Sequence, residues 1–211
     1  LYLGGKMQKN ITWLFFDVGS TLIDEQFAYK HRLQDIAEAA NTAYQKVYDT
    51  AMEFYRQNKK GDLETAKQFG VSLPKWHTED EILYPDAAQC LKTLSRKYKI
   101  GIIANQELGT KDRLQQQGIL QYIDLVIASA EEGVAKPDEK IFKIALERAA
   151  CKSDNAIMIG DRIDNDIIPA KKLGFHTIWI KQGFGQYWNI TKKDEIPDCT
   201  VCSLSELCDI L

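Results

Sequence analysis

Short apolar segments alternate with longer amphipathic ones along most of this chain. The apolar runs of four to six residues predict buried strands. The stretches between them repeat apolar residues every three or four positions, as helices do. Strands separated by single helices are typical of βαβ units, which build a mostly parallel sheet. The predicted strands are Ile11–Phe16, Lys99–Ala104, Leu125–Ala128, Ala156–Ile159 and His176–Ile180, with a short one near Thr200.

The helices predicted between these strands have suitable residues at their ends. Gly118 and Gly174 stand where a helix needs a left-handed residue to close it. Asp138 is expected to cap one helix, and Ser203 with Glu206 has the spacing of a capping box for the last one. The predicted helices are Asp86–Tyr98, Thr110–Gln117, Asp138–Ala149, Asp166–Leu173 and a final one after Ser203.

The segment from Leu22 to Leu83 breaks this alternation, because one crossover helix needs far fewer residues. Its apolar residues recur at steps of three and four, which predicts amphipathic helices. Pro85 is expected to mark the return to the sheet, and Met7 to be the native start. We therefore predict an α/β fold, a doubly wound Rossmann-like parallel sheet with a helical cap. The predicted domains are an α/β core at 7–21 and 85–211 and a cap at 22–84.

Composition and charge narrow the class of protein. The 211 residues carry a net charge of -3, so no basic field attracts nucleic acid or an anionic membrane surface. The apolar runs are far shorter than a bilayer span, and no signal-peptide pattern is present. The five cysteines lack the spacing of a disulfide framework, which suits a reducing compartment. We expect a cytoplasmic protein without nucleic-acid or membrane partners, whose oligomeric state the sequence does not determine.

Residues that commonly bind transition metals show no convincing pattern. Cys199 and Cys202 have a suggestive spacing, but a structural zinc site needs four ligands. Only Cys208 lies near them, so small apolar residues around a terminal strand and helix are the better interpretation. The three histidines show no ligand spacing among themselves and are interpreted as ordinary cap or surface residues: His31, His77 and His176.

Polar residues end four consecutive strand units of the predicted sheet. They are Asp17, Asn105, Lys136, and the pair Asp161 with Asp166. The carboxyl ends of parallel strands meet at one edge, so we expect these side chains in one crevice. Taken singly, each has a duller explanation, such as a turn-forming aspartate or a Lys-Pro-Asp helix start. Their order across one sheet favours a functional site.

These motifs give the chain a strong resemblance to the haloacid dehalogenase-like hydrolase superfamily. The resemblance runs from about Ile11 to the end of the chain, and its strength lies in the order and spacing of the motifs. The matching pieces are Phe16-Asp17-Val18-Gly19-Ser20-Thr21-Leu22, Ile102-Ile103-Ala104-Asn105, Lys136-Pro137-Asp138 with Ile141-Phe142, and Gly160-Asp161 with Asp166.

The resemblance implies a phosphoric monoester hydrolase. Asp17 would be the catalytic nucleophile and form an aspartyl-phosphate that water then hydrolyses. Mg²⁺ would be held by the carboxylates of Asp17 and Asp161 and the backbone carbonyl of Gly19, with Asp166 binding through water or orienting the shell. Lys136 would be the catalytic cation beside the phosphate. The implied phosphate-binding residues, for a small phosphorylated metabolite, are Ser20, Thr21, Ala104, Asn105 and Lys136.

Two positions depart from the family pattern. Gly19 stands where the phosphatases usually carry a second aspartate, which protonates the leaving oxygen and is worth about a hundred- to ten-thousand-fold in rate. Ala104 replaces a serine or threonine, with the loss of one hydrogen bond of about 0.5 to 1.5 kcal/mol. Three nearby carboxylates are candidate replacement acids, although hinge carboxylates are usually solvated: Asp24, Glu25 and Glu107.

Other functions stay open on these residues. Both departures suit a weak or inactive relative that binds a phosphate or another ligand without turnover. A metal-free dehalogenase would gain nothing from the clustered carboxylates Asp161 and Asp166. A phosphonate hydrolase needs a cap lysine in an apolar setting, whereas Lys59 and Lys60 lie in a polar turn. The preferred interpretation is a magnesium-dependent phosphatase that favours good leaving groups. The alternative is the weak or inactive ligand-binding relative, and the dehalogenase and the phosphonate hydrolase are less favoured.

Overall fold

A six-stranded parallel sheet forms the centre of the computed structural model, which describes residues 2–3, 6–7 and 10–211. Two further pairs of short strands are antiparallel, β1 with β2 and β4 with β5 in the following numbering. The prediction that Met7 is the native start falls in an N-terminal segment, most of which lies outside the described residues. The strands are β1 (Tyr2–Leu3), β2 (Lys6–Met7), β3 (Trp13–Phe16), β4 (Ile23–Asp24), β5 (Ile82–Leu83), β6 (Lys99–Ala104), β7 (Leu125–Ala128), β8 (Ala156–Gly160), β9 (His176–Ile180) and β10 (Cys199–Val201).

The order of the strands in the sheet is β10-β9-β8-β3-β6-β7. The chain runs outward from β3 to β6 and β7, then returns to the other side of β3 and continues through β8, β9 and β10. This confirms the predicted doubly wound fold, with its topological switch point at β3. Phe16, the last residue of β3, lies opposite Ile102 of β6 and Ile159 of β8. Since β6 and β8 end only slightly further on, the three strands direct their following residues to one crevice.

Alternate residues of β3 face opposite sides of the sheet, as a strand requires. Leu14 and Phe16 pack in one apolar cluster with Ile102, and Phe15 packs in the other with Met158. All five side chains are fully buried. Because helices cover both faces, the central strands are continuous apolar runs rather than alternating ones.

The helices around the sheet have most of the predicted ends. Gly118 and Gly174 have φ values of 74° and 88°, and the side chains of Asp138 and Ser203 accept backbone N–H bonds as helix caps. No helix in the described ranges is long and apolar enough to cross a bilayer. The helices are α1 (Gln26–Ala39), α2 (Tyr44–Arg56), α3 (Gly61–Gln68), α4 (Ala87–Leu94), α5 (Thr110–Gln116), α6 (Ser129–Glu132), α7 (Glu139–Arg148), α8 (Ile168–Lys172) and α9 (Leu204–Ile210).

The predicted helix at Asp166–Leu173 differs in its first turn. Asp166 belongs to a wider π-helical turn at Ile163–Ile167, and α8 begins only at Ile168. Periodicity does not distinguish a π turn from an α turn over five residues, so the sequence pattern alone extends the helix through it.

Helices α1, α2 and α3 lie between β4 and β5 and pack around an apolar cluster of their own. Leu33, Ile36, Val47 and Ala51 are buried in this cluster. The long periodic segment divides into α1 and α2 at Asn41, whose φ of 48° ends the first helix. We keep the name cap for residues 22–84. Its boundaries stay a prediction, although the pairing of β4 with β5 brings both ends of the cap together.

Candidate active site

The buried side chain of Lys136 joins two of the predicted carboxylates. Its Nζ lies 2.7 Å from Asp17 Oδ1 and 2.6 Å from Asp166 Oδ1. The side chain of Asp17 is 13% exposed, whereas that of Asp166 is fully buried. Burial alone would lower the pKa of Lys136, but the charges of Asp166 and Asp17 raise it, so the ammonium stays protonated. The site therefore holds a fixed positive charge beside its more accessible carboxylate.

Asn105 holds the backbone of Lys136 in place. Its Oδ1 accepts from the Lys136 N–H at 2.7 Å, and its Nδ2 donates to the Lys136 carbonyl at 2.8 Å. The loop after α6 is thereby fastened to the end of β6. The amide of Asn105, expected on a phosphate oxygen, braces the lysine loop in this structure, and phosphate binding by Asn105 stays a prediction.

Three carboxylates converge at the ends of β3 and β8. One oxygen from each of Asp17, Asp161 and Asp166 lies within 4.8 Å of the others. Burial, followed by the charges of Asp166 and Asp17, raises the pKa of Asp161 well above its ordinary value. Carboxylate oxygens at this spacing are the ligands that Mg²⁺ prefers. The donor set therefore fits a hard divalent cation, while the role of the Gly19 carbonyl stays a prediction.

A wide turn brings Asp166 inward. The backbone N–H groups of Asp166 and Ile167 both donate to the Arg162 carbonyl, at 2.8 and 3.3 Å. The Arg162 N–H in turn donates to Asp166 Oδ2 at 3.0 Å. Gly160 leaves the necessary room, because a Cβ there would overlap the Asp166 carboxylate. Single π turns of this kind are frequent at functional sites.

The space beside Gly19 is filled by the carboxyl group of Glu25. A Cβ built on Gly19 would overlap Glu25 Oε1 and lie 2.8 Å from its Cδ. Ser20, at a φ of 52°, donates its hydroxyl to Glu25 Oε2 at 2.7 Å. Burial raises the pKa of Glu25 to about 8; the Ser20 bond opposes this shift, and the charges of Glu81 and Asp17 add to it. Glu25 is therefore mostly protonated at neutral pH, beside the position where the family carries its acid.

The other two candidate acids are placed differently. Asp24 Oδ1 accepts from the Gln26 N–H at 2.9 Å, and Glu107 is exposed. Glu25 therefore has the strongest structural support of the three.

The remaining predicted phosphate-binding residues are closely packed. Ser20 uses its hydroxyl on Glu25. The Thr21 hydroxyl is buried and has no hydrogen-bond partner within the described part of the chain. A buried hydroxyl left unpaired costs about 1 to 3 kcal/mol, and a hydrogen bond between Thr21 and a ligand would recover that cost. Ala104 is the fully buried last residue of β6. The phosphate contacts of all three stay predictions.

A cavity of about 280 Å³ opens between the cap and this edge of the sheet. Glu25 and Asn105 line it on the side of the carboxylates, and Arg32 stacks its guanidinium 4.5 Å from the centre of the Trp76 ring. A second cavity of about 490 Å³, next to the loop at Gly183, includes Ser20. The smaller cavity contains more of the polar groups beside the site and suits a small ligand. Its lining includes Glu25, Tyr29, Arg32, Trp76, Asn105 and Arg113.

Comparison with known protein families shows to which family a chain with this arrangement of site residues belongs. The sequence profile of the family described as haloacid dehalogenase-like hydrolase matches residues 11–174. The chain belongs to the haloacid dehalogenase-like hydrolase family. The match contains all the residues predicted for the site, from Asp17 to Asp166. The resemblance drawn from the motifs is thereby confirmed, and the hydrolase class follows from it.

Two curated relatives of this haloacid dehalogenase-like hydrolase share one name with each other, glyceraldehyde 3-phosphate phosphatase. The glyceraldehyde 3-phosphate phosphatase of Methanocaldococcus jannaschii is 37% identical over 130 residues, which are 61% of this chain and 56% of the relative. The glyceraldehyde 3-phosphate phosphatase of Pyrococcus furiosus is 28% identical, with 96% of this chain and 94% of the relative covered. The alignment thus spans little more than half of the first relative and nearly all of the second.

Solved structures of related hydrolases share the fold. The magnesium-bound HAD-hydrolase YfnB of Bacillus subtilis has a TM-score of 0.68 at 21% identity, over 96% of this chain and 99% of that one. The L-2-haloacid dehalogenase of Xanthobacter autotrophicus has a TM-score of 0.67 at 17% identity, over 95% and 98%. At these identities the likeness shows the fold alone, which serves more than one reaction.

Proposed function

We propose that this chain is a Mg²⁺-dependent phosphatase that hydrolyses a small phosphorylated metabolite through an aspartyl-phosphate on Asp17. The Asp17 carboxylate beside the Lys136 ammonium and the oxygens of Asp161 and Asp166 carries this proposal. Phosphoryl transfer needs neutralised charge and reactants held in line, and these groups are suited to both tasks. The glyceraldehyde 3-phosphate phosphatases among its relatives support a substrate of this class.

Asp17 is suited to the nucleophilic role. Lys136 binds its Oδ1, which leaves Oδ2 to attack phosphorus. The ammonium, held from its other side by Asp166, offers positive charge to the phosphate oxygens without a change of protonation. A bound Mg²⁺ would be held by Asp17 and Asp161, with Asp166 as a direct or outer ligand, and would neutralise charge on the transferring phosphoryl group.

We assign the proton donor to Glu25. In the first step its carboxyl proton goes to the leaving oxygen as that oxygen separates from phosphorus. In the second step the Glu25 carboxylate accepts a proton from the attacking water, which restores the acid and releases phosphate from Asp17. Gly19 alone predicts a preference for good leaving groups. A proton donor at Glu25 removes the reason for that preference, so alkyl phosphates also become suitable substrates.

The cap is proposed to close over the phosphoryl group and exclude water. The cavity of about 280 Å³, lined by Glu25 and Asn105 beside the proposed site, is of a size that suits a small metabolite. Arg32 in its lining pairs with Asp62 at 2.8 Å, but its buried Nε has no hydrogen-bond partner among the described residues, so this N–H suits a substrate that carries a further oxygen.

The proposal is tested by phosphate release from a broad panel of small phosphorylated metabolites. We expect release with Mg²⁺, its loss with EDTA and its return when Mg²⁺ is restored. Asp161→Asn should raise the Mg²⁺ concentration needed for half-maximal rate by about tenfold or more, because a charged ligand is lost. Asp164→Asn is the matched control, since Asp164 pairs with Arg162 outside the carboxylate cluster.

Two results would count against a metal-dependent phosphatase. One is a rate that is the same with Mg²⁺ and with EDTA. The other is a parent protein that binds phosphorylated compounds in the presence of Mg²⁺ without releasing phosphate from any of them, which would favour the inactive, ligand-binding alternative.

A further inference from the structure

The cap contains a second cluster of metal-ligating side chains, outside the proposed active site. His31 and Asp35 lie on α1, and His77 lies in the segment between α3 and β5. One ligand atom from each falls within 4.8 Å of the other two. His31 and Asp35 are four residues apart and therefore share one face of the helix. The sequence showed no ligand spacing among the histidines, because the third member arrives only when the chain folds back over α1.

Both imidazoles present the same ring nitrogen to Asp35. His77 Nε2 lies 2.7 Å from Asp35 Oδ2, and His31 Nε2 lies 3.9 Å from Asp35 Oδ1. The two rings stack with their centroids 3.5 Å apart and their planes within 10° of parallel. Two imidazole nitrogens and one carboxylate therefore share a small volume.

The other ring nitrogen of each histidine contacts a second carboxylate. His31 Nδ1 lies 2.8 Å from Asp80 Oδ2, and His77 Nδ1 lies 3.1 Å from Glu79 Oε1. A carboxylate that accepts from the Nδ1–H of a neutral histidine leaves Nε2 as the unprotonated, metal-binding nitrogen. Outer carboxylates of this kind orient most histidine ligands of metals, so Asp80 and Glu79 are placed where the outer partners of such ligands would lie.

The charge of the cluster also favours a cation. Its carboxylates are Asp35, Glu79 and Asp80, and no lysine or arginine in the described part of the chain forms an ion pair with them. A divalent ion bound beside Asp35 would balance this negative charge.

We propose that His31, Asp35 and His77 bind a transition-metal ion, best matched by Zn²⁺, in the cap. Two imidazole nitrogens with one carboxylate form a donor set for such ions, unlike the oxygen ligands at Asp17. To bind one ion, both Nε2 atoms would have to lie about 2.0 to 2.1 Å from it, which requires the two stacked rings to tilt out of their parallel arrangement. The ion would tie α1 to the segment that leads into β5, and it would stabilise the return of the chain from the cap to the sheet. This inference does not depend on the proposed phosphatase function.

The test is a Zn²⁺ titration of the full chain, first stripped with a chelator and then supplied with excess Mg²⁺. We expect one Zn²⁺ per chain by calorimetry, and a rise in Tm of about 5 to 10 °C at a Zn²⁺ concentration a hundredfold above Kd. His77→Gln and Asp35→Asn should each weaken binding at least about a hundredfold. Glu79→Gln should weaken it about ten- to a hundredfold by loosening His77.

His176→Gln is the matched control, since His176 lies in β9 and contacts the Asp154 carbonyl. It should bind Zn²⁺ as the parent does, and so should Asp17→Asn, which alters the other carboxylate cluster. Circular dichroism of each variant checks that it folds, and His31→Gln replaces His77→Gln if the latter does not. Absence of Zn²⁺ binding by the parent, or equal affinity in the parent and in the folded cluster variants, would overturn the proposal.

Discussion

Asp17→Asn is expected to lower kcat for phosphate release by about ten-thousand-fold or more, the largest effect among single substitutions at the site. An amide cannot attack phosphorus as a carboxylate does, so the aspartyl-phosphate cannot form. The variant should still fold, because Lys136 keeps its 2.6 Å ion pair with Asp166 and the site loses one negative charge from a crowded cluster. Loss of activity would then reflect chemistry rather than unfolding.

The measurement is single-turnover and steady-state phosphate release with Mg²⁺, with urea unfolding to confirm a stable fold. Asp164→Asn again serves as the matched control, because it removes a carboxylate from the neighbouring turn after β8, where Asp164 pairs with Arg162 and not with Lys136. Activity in Asp17→Asn within about tenfold of the parent would exclude Asp17 as the nucleophile, whatever the metal dependence.

Glu25→Gln is expected to lower kcat on alkyl phosphates by about a hundredfold or more, since the amide has no acidic proton for the leaving oxygen. The pH profile should change as well. Burial raises the pKa of Glu25 to about 8, so the acid is present below this pH and is lost as the pH rises through it. The parent should therefore lose activity above about pH 8. Glu25→Gln should lack this alkaline limb, and its loss of rate should be smaller on aryl phosphates.

Gly19→Asp provides a sharper version of this test. Its new side chain would overlap the Glu25 carboxyl, so the single substitution should lower both activity and stability. Adding Glu25→Ala removes the overlap and leaves the acid at the position usual in the family, and the double variant should recover activity. Asp24→Asn is the control, because its carboxylate already accepts from a backbone N–H.

These outcomes test the assignment of Asp17 as the nucleophile separately from the assignment of Glu25 as the proton donor. An unchanged alkaline limb in Glu25→Gln, together with inactivity in Asp17→Asn, would leave the phosphatase standing and remove Glu25 as its acid. Higher activity in Gly19→Asp alone would show that the Glu25 carboxyl does not occupy the position of the proton donor.

Much of the fold was predictable because it depends on local patterns. The bounds of β6, β7 and β9 match the predicted ones, since each is an apolar run flanked by polar residues. The role of Asp138 as the N-terminal capping residue of α7 was predictable for the same reason, because a capping side chain and the first turn of its helix lie within a few residues of each other. The break between α1 and α2 at Asn41 was not, since helical periodicity continues across it.

Contacts across longer separations in the chain were less accessible. Asn105, predicted to bind phosphate, also braces Lys136, 31 residues away, in a pairing that depends on how two loops meet. The inward turn of Asp166 depends on a π turn and on the space above Gly160. Neither feature changes the apolar pattern from which the elements were predicted.

The sequence by itself determined the family and the order of Asp17, Lys136, Asp161 and Asp166 along an α/β sheet, because strand ends follow from local apolar runs. Only the tertiary structure decided that Glu25, one of three candidates, lies beside Gly19, and that His77 stacks on His31. The backbone turn at Ser20 and the packing of the cap determine those contacts. Their geometry depends on many residues at once, so no short motif encodes it.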